Sequence, residues 1–160
     1  MRATVSSFGP LLLAKVLGLN ETQESVLGLI FHYADSNGLA LLDLSDLKAV
    51  LMFLTSEEGK AELKSIGGVS TASAGVILRS IANLEAQGAE AFFGEPEFDI
   101  SDLLRTEGPA GVVSMLELPA VQNRPALFST FLMWLLAELF EQLPEVGDAD
   151  KPKPVSYTHL

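Results

Sequence analysis

The sequence predicts a mostly α-helical fold with a small parallel-strand element. Three observations carry that prediction. Between Gly9 and Gly88 the chain repeats one pattern, a helix-starting residue followed by apolar residues at helical spacing, with glycines as punctuation. One short run, Gly111–Leu118 (GVVSMLEL), is apolar almost throughout and of strand length. The longest apolar stretch, Pro125–Leu143, has the length of a helix.

Residues Ala3 to Ser6 are read as a short strand. Gly9-Pro10 then opens a helix, with proline in the first turn, where its missing N–H costs nothing. Leu11, Leu12, Leu13, Val16 and Leu17 make this helix apolar almost all round, and Gly18 ends it. Asn20 caps the next helix, and Glu21 and Glu24 favour its positive end. That helix runs through Val26, Leu27, Ile30 and Phe31 to Asp35, and Ser36-Asn37-Gly38 closes it. Asp43 or Ser45 caps a third helix with Leu47, Val50, Leu51 and Leu54 on one face. Ser56-Glu57-Glu58 opens a short fourth, which stops at Gly67-Gly68. Ser70 or Thr71 starts a fifth, carrying Val76, Ile77, Ile81 and Leu84 and ending near Gly88. Short turns between such helices describe a helical subdomain.

After Gly88 the character changes. AEAFFGEPEFDISDLLR reads as a loop with a short helix at Ser101–Arg105. The run Gly111–Leu118 suits an interior parallel strand covered on both faces, and Pro119 ends it. A strand, a loop and the long helix Pro125–Leu143 follow a βαβ rhythm.

At 160 residues the chain fits one domain, and 48% hydrophobic against 19% charged residues suits a segment packed on other parts. The net charge of −11, from 10 Lys+Arg against 21 Asp+Glu, argues against a basic face for nucleic-acid phosphates. With no cysteine there is no disulfide, thiolate metal site or cysteine nucleophile. Pro10 and Lys15 interrupt the early apolar run and no small-residue cleavage site follows, which favours the cytoplasm. Leu127–Leu143 could be mistaken for a membrane span. Glu138, Glu141 and Gln142 would be costly in lipid, so a buried core helix is the better reading.

Each constellation with chemical potential has a plainer explanation. Gly59-Lys60-Ala61 has the Gly-Lys pair of a phosphate loop, but neither its earlier glycine nor the Ser or Thr that holds Mg²⁺. Gly67-Gly68 to Gly75 reads as a turn and a close helix contact. His32 is read as a partly buried helix-end residue, and His159 lies in the tail; neither has a ligand cluster around it. The carboxylate pairs Asp43/Asp46, Asp99/Asp102 and Glu138/Glu141 fit caps and helix faces better than acid–base catalysis. Adjacent Phe92 and Phe93 are expected to plug two cavities, with Gly94 and Pro96 making the turn. Among Arg2, Arg79, Arg105 and Arg124, Arg79 and Arg105 are conceivable arginine fingers, although no spacing distinguishes them from surface arginines. No residue is assigned as catalytic, cofactor-binding or metal-ligating.

Five stretches together carry a resemblance. They are RATVSSFGPLLLAKVLGLNETQ (2–23), Phe31–Asp35 with LALLDLSDLKAVL (39–51), LEAQGAEAFFGEP (84–96), FDISDLLRT (98–106) and FLMWLLAELFEQLPEVGDADKPK (131–153). From Arg2 to Lys153 the chain resembles the bacterial HerA-like P-loop ATPases, helicases or DNA translocases. The resemblance implies a fragment of an α/β RecA-like P-loop NTPase core carrying a helical insertion. The phosphate loop would lie before Met1, and the strand bearing the Mg²⁺-binding acids would follow Lys153. Residues 1–19 would be a lead-in strand and helix of the core, 20–107 the helical insertion, and 108–153 a core strand and the long helix. The family continues Lys153 with an apolar strand, whereas Pro154 onward departs from it, so 154–160 are read as a foreign tail. The resemblance further implies no cofactor in this fragment, ATP and Mg²⁺ for the parent protein, and a homo-hexamer acting on DNA with a nuclease partner and no membrane. Two rival readings are a free-standing helical protein-interaction module and a small-molecule enzyme. The first is supported by the capped helices; the second lacks a nucleophile, base and metal constellation.

Overall fold

A computed structural model describes residues 2–65, 67–68, 70–115 and 125–142. Six α-helices dominate them: α1 Val5–Val16, α2 Glu21–Ser36, α3 Leu44–Thr55, α4 Lys60–Ser65, α5 Thr71–Ala86 and α6 Pro125–Gln142. Two 3-10 turns, Ala89–Ala91 and Ile100–Leu104, lie between α5 and a minimal hairpin of β1 Thr106–Glu107 and β2 Ala110–Gly111.

Local chemistry sets most helix starts. In α2 the Asn20 side chain accepts from the Gln23 N–H at 3.0 Å, while the Gln23 side chain accepts from the Asn20 N–H at 3.1 Å. This reciprocal capping box satisfies two N–H groups that a helix end leaves unpaired. Asp43 and Asp46 form the same device at α3: Asp43 accepts from the Asp46 N–H at 3.0 Å and Asp46 from the Asp43 N–H at 3.1 Å. Ser70 caps α5 by accepting from the Ser73 N–H at 3.0 Å. Val26, Leu27, Ile30 and Phe31 of α2, Leu47, Leu51 and Leu54 of α3, and Ile77, Ile81 and Leu84 of α5 are buried. These helical stripes meet where α5 packs on α2 and α3 and where α2 packs on α1. Lys48 of α3 reaches both oxygens of Glu85 on α5, at 2.8 and 2.9 Å, across that contact.

Gly59 marks a close approach between α3 and α4. A Cβ there would lie 2.2 Å from the Phe53 carbonyl oxygen. Lys60 beside it pairs with Glu57. The Gly-Lys pair is thus accounted for by a tight turn and a surface ion pair.

Two expected strands come out differently. Between Ala3 and Ser6 only Ala3 bridges, in parallel to Phe93, and α1 has already begun at Val5. The reason is Thr4, whose hydroxyl accepts from the Ser7 N–H at 3.1 Å and starts the helix early. The helix then breaks its regular geometry at Gly9, where φ is 74°, immediately before Pro10. Of the expected parallel strand Gly111–Leu118, the described residues 111–115 place Gly111 alone in a ladder, and that ladder is antiparallel, pairing Thr106 with Gly111 and Glu107 with Ala110. Gly108, with φ of 60°, and Pro109 turn the chain back on itself, so a hairpin forms at this point. Residues 112–115 have no ladder, and Val113 and Met115 are 89% and 80% exposed. Leu116–Leu118, Leu143, the acidic turn and the tail 154–160 lie outside the described residues.

The last helix brings Leu127, Thr130, Phe131 and Trp134 into the interior. It packs on α1 and on the 3-10 turn Ile100–Leu104, so the core is continuous from Ala3 to Trp134.

Candidate functional site

The segment between Ala89 and Ile100 has little regular structure, yet hydrogen bonds tether it to the first residues of the chain. Its tether is the extended N-terminal segment of residues 2–4, in which Ala3 alone makes a bridge. The Ala3 N–H donates to the Phe92 carbonyl at 3.0 Å, the Gly94 N–H to the Ala3 carbonyl at 2.9 Å, and the Phe98 N–H to the Arg2 carbonyl at 2.9 Å. Arg2 adds a clamp. Its Nη1 donates to the Glu95 carbonyl at 2.8 Å, and its Nη2 donates to the carbonyls of Phe93 and Glu90 at 2.6 and 3.1 Å. Gly94 makes room for that guanidinium, because a Cβ would stand 2.5 Å from Nη2.

Phe92 and Phe93 do not fill two cavities. Their rings lie 4.9 Å apart, edge to face, and both rest on Phe8 of α1, at 6.0 and 5.3 Å. The 3-10 turn before them bends the backbone, so neighbouring side chains converge on a single cluster. Phe92 continues the cluster to Phe131 and Trp134 of α6, at 5.9 and 5.6 Å. Phe98 reaches Trp134 from the other side at 6.3 Å. Edge-to-face aromatic pairs of this kind add to ordinary burial. They fix α6 against α1 and the loop.

Where those three elements meet there is a cleft of about 610 Å³. Four carboxylates line it: Glu97 and Asp99 from the loop, Glu138 and Glu141 from α6. Ser7, Phe98 and Gln142 complete the wall. Two of the carboxylate pairs noted in the sequence are therefore brought to one place, apart from Asp102. The carboxylates differ in environment. Glu97 accepts from the Thr4 N–H at 3.2 Å, from the Thr4 hydroxyl at 3.4 Å and from the Ser7 hydroxyl. It sits at the start of α1, where the helix dipole favours an anion. Asp99 accepts from the Ser101 N–H at 2.8 Å. Its hydrogen bonds to the Ser101 side chain and backbone hold its carboxyl below the ordinary range. Glu138 is pushed the other way, chiefly by desolvation. A hydrogen bond from Gln142 opposes the rise, and the charges of Glu141 and Glu97 add to it. Such a cleft concentrates negative charge and repels anions such as phosphate. Among the described residues there is no group of three or more His, Asp or Glu side chains placed to hold a metal ion.

The remaining sequence candidates are dispersed. Asp43 and Asp46 are consumed by their capping box. His32 is exposed on α2, not partly buried, because the buried face of that helix at this turn is taken by Phe31, Tyr33 and Ala34. Arg79 and Arg105 are exposed. Arg124 and His159 lie outside the described residues. Sequence reasoning passed over Glu97 and the role of Arg2. Their partners lie some ninety residues away, so no spacing rule joins them.

The family comparison supplies what the geometry does not. A family model described as "Helicase HerA-like C-terminal" matches residues 1–159. The chain belongs to the HerA-like helicase C-terminal family. No curated protein and no solved structure gave a match. The match spans the HerA-like chain from the Arg2 clamp through α6, so the acidic cleft and the aromatic cluster both belong to the family region. Among the described residues, no helix of this HerA-like protein is long and apolar enough to cross a membrane.

Proposed function

We propose that this HerA-like chain is the helical part of an ATP-driven DNA helicase or translocase, and that it turns over no ATP by itself. The observation that carries the reading is the family match over residues 1–159. The electrostatics support a division of labour: a chain of net charge −11 with a carboxylate-lined cleft is poorly suited to hold triphosphate or DNA phosphates. Binding of ATP and Mg²⁺ then falls to a phosphate loop and an acidic strand beyond residues 2–153. Residues 1–19 and 108–153 would join the motor's core, and 20–107 would be its helical insertion. Assembly into a cytoplasmic homo-hexamer that moves along DNA with a nuclease partner completes the proposal.

The test compares two polypeptides, this chain and the complete product of its gene. ATP hydrolysis is measured with and without DNA. The expected result is DNA-stimulated turnover by the complete product and none by the chain alone. A complete product that hydrolyses no ATP overturns the reading. A second reading, a helical protein-interaction module, would then lead. It is favoured by one observation, the exposed apolar residues Phe128, Leu136 and Phe140 on α6.

A further inference from the structure

We draw no further inference here: the strongest candidate, the exposed apolar patch of Phe128, Leu136 and Phe140 on α6, carries nothing because the structure does not show what covers it.

Discussion

At the scale of single residues, Arg2 and Glu138 show two opposite uses of charge. Arg2 spends its guanidinium on three backbone carbonyls of one loop. Hydrogen bonds to a charged group contribute about 1.5–3 kcal/mol each at most, and the carbonyls left behind would have to find water. Arg2→Ala should therefore destabilise the chain by roughly 2–3 kcal/mol, read as a lower urea midpoint. A midpoint equal to wild type would show that the clamp contributes little. Glu138 is instead held in an unfavourable place. Its carboxyl titrates above the ordinary range in the fold, so the folded state binds its proton more tightly than the unfolded state does. Its contribution is therefore unfavourable at neutral pH and is relieved as the pH falls through the raised value. Glu138→Gln should raise the melting temperature at pH 7, and the gain over wild type should shrink toward acid pH. A difference that stays constant with pH would remove this explanation. Asp99 has the opposite sign. Its lowered pKa means that its cap on the 3-10 turn stabilises above the ordinary carboxylate range and is lost as the pH falls through the lowered value.

At the scale of elements, the caps of α2, α3 and α5 were written locally and folded as written, whereas α1 starts at Val5 ahead of Gly9-Pro10 and α4 at Lys60 after Ser56-Glu57-Glu58. Asn20, Asp43 and Ser70 each stand immediately before the first residue of the helix they cap, where a short polar side chain can accept from the unpaired N–H groups of the first turn. Asp43→Ala removes acceptors for the N–H groups of Ser45 and Asp46 and should cost about 1 kcal/mol, measurable by chemical denaturation. Gly59→Ala tests a different kind of constraint. The new methyl would lie 2.2 Å from a backbone oxygen, so α4 must move away from α3. We expect a loss on the order of 1–3 kcal/mol together with faster amide exchange confined to α4. Protection of α4 at the wild-type level would mean that the turn absorbs the methyl. The two elements that differ over their described residues, Ala3–Ser6 and the 111–115 part of Gly111–Leu118, do so for related reasons. Both are short runs, too short for periodicity to separate strand from other conformations. Thr4 as a cap and Gly108-Pro109 as a turn decided them.

At the scale of the whole molecule, α6 is both anchor and liability. Trp134, Phe131 and Leu127 seal it to the core, whereas Phe140 on its outer side is 91% exposed and Leu136 50% exposed. The chain alone should bind a hydrophobic-surface dye and self-associate as its concentration rises. Phe140→Ser should weaken the dye signal while leaving the melting temperature nearly unchanged, since the side chain is hardly buried. Undiminished dye binding would place the sticky surface elsewhere.

What the sequence determined by itself was the helical order, the capped starts, the apolar stripes and the acidic balance that argues against a phosphate-binding face. Each depends on residues within a turn or two of one another, where helical geometry fixes the neighbours. What only the tertiary structure decided was the cleft. Glu97 meets Thr4 and Ser7, and Arg2 meets Glu95, across about ninety residues of chain. The carboxylates of the loop face those of α6 because an aromatic cluster drawn from α1, the loop and α6 holds the three elements together. No local pattern encodes that meeting, since it follows from the shape-matching of buried rings contributed by distant parts of the chain.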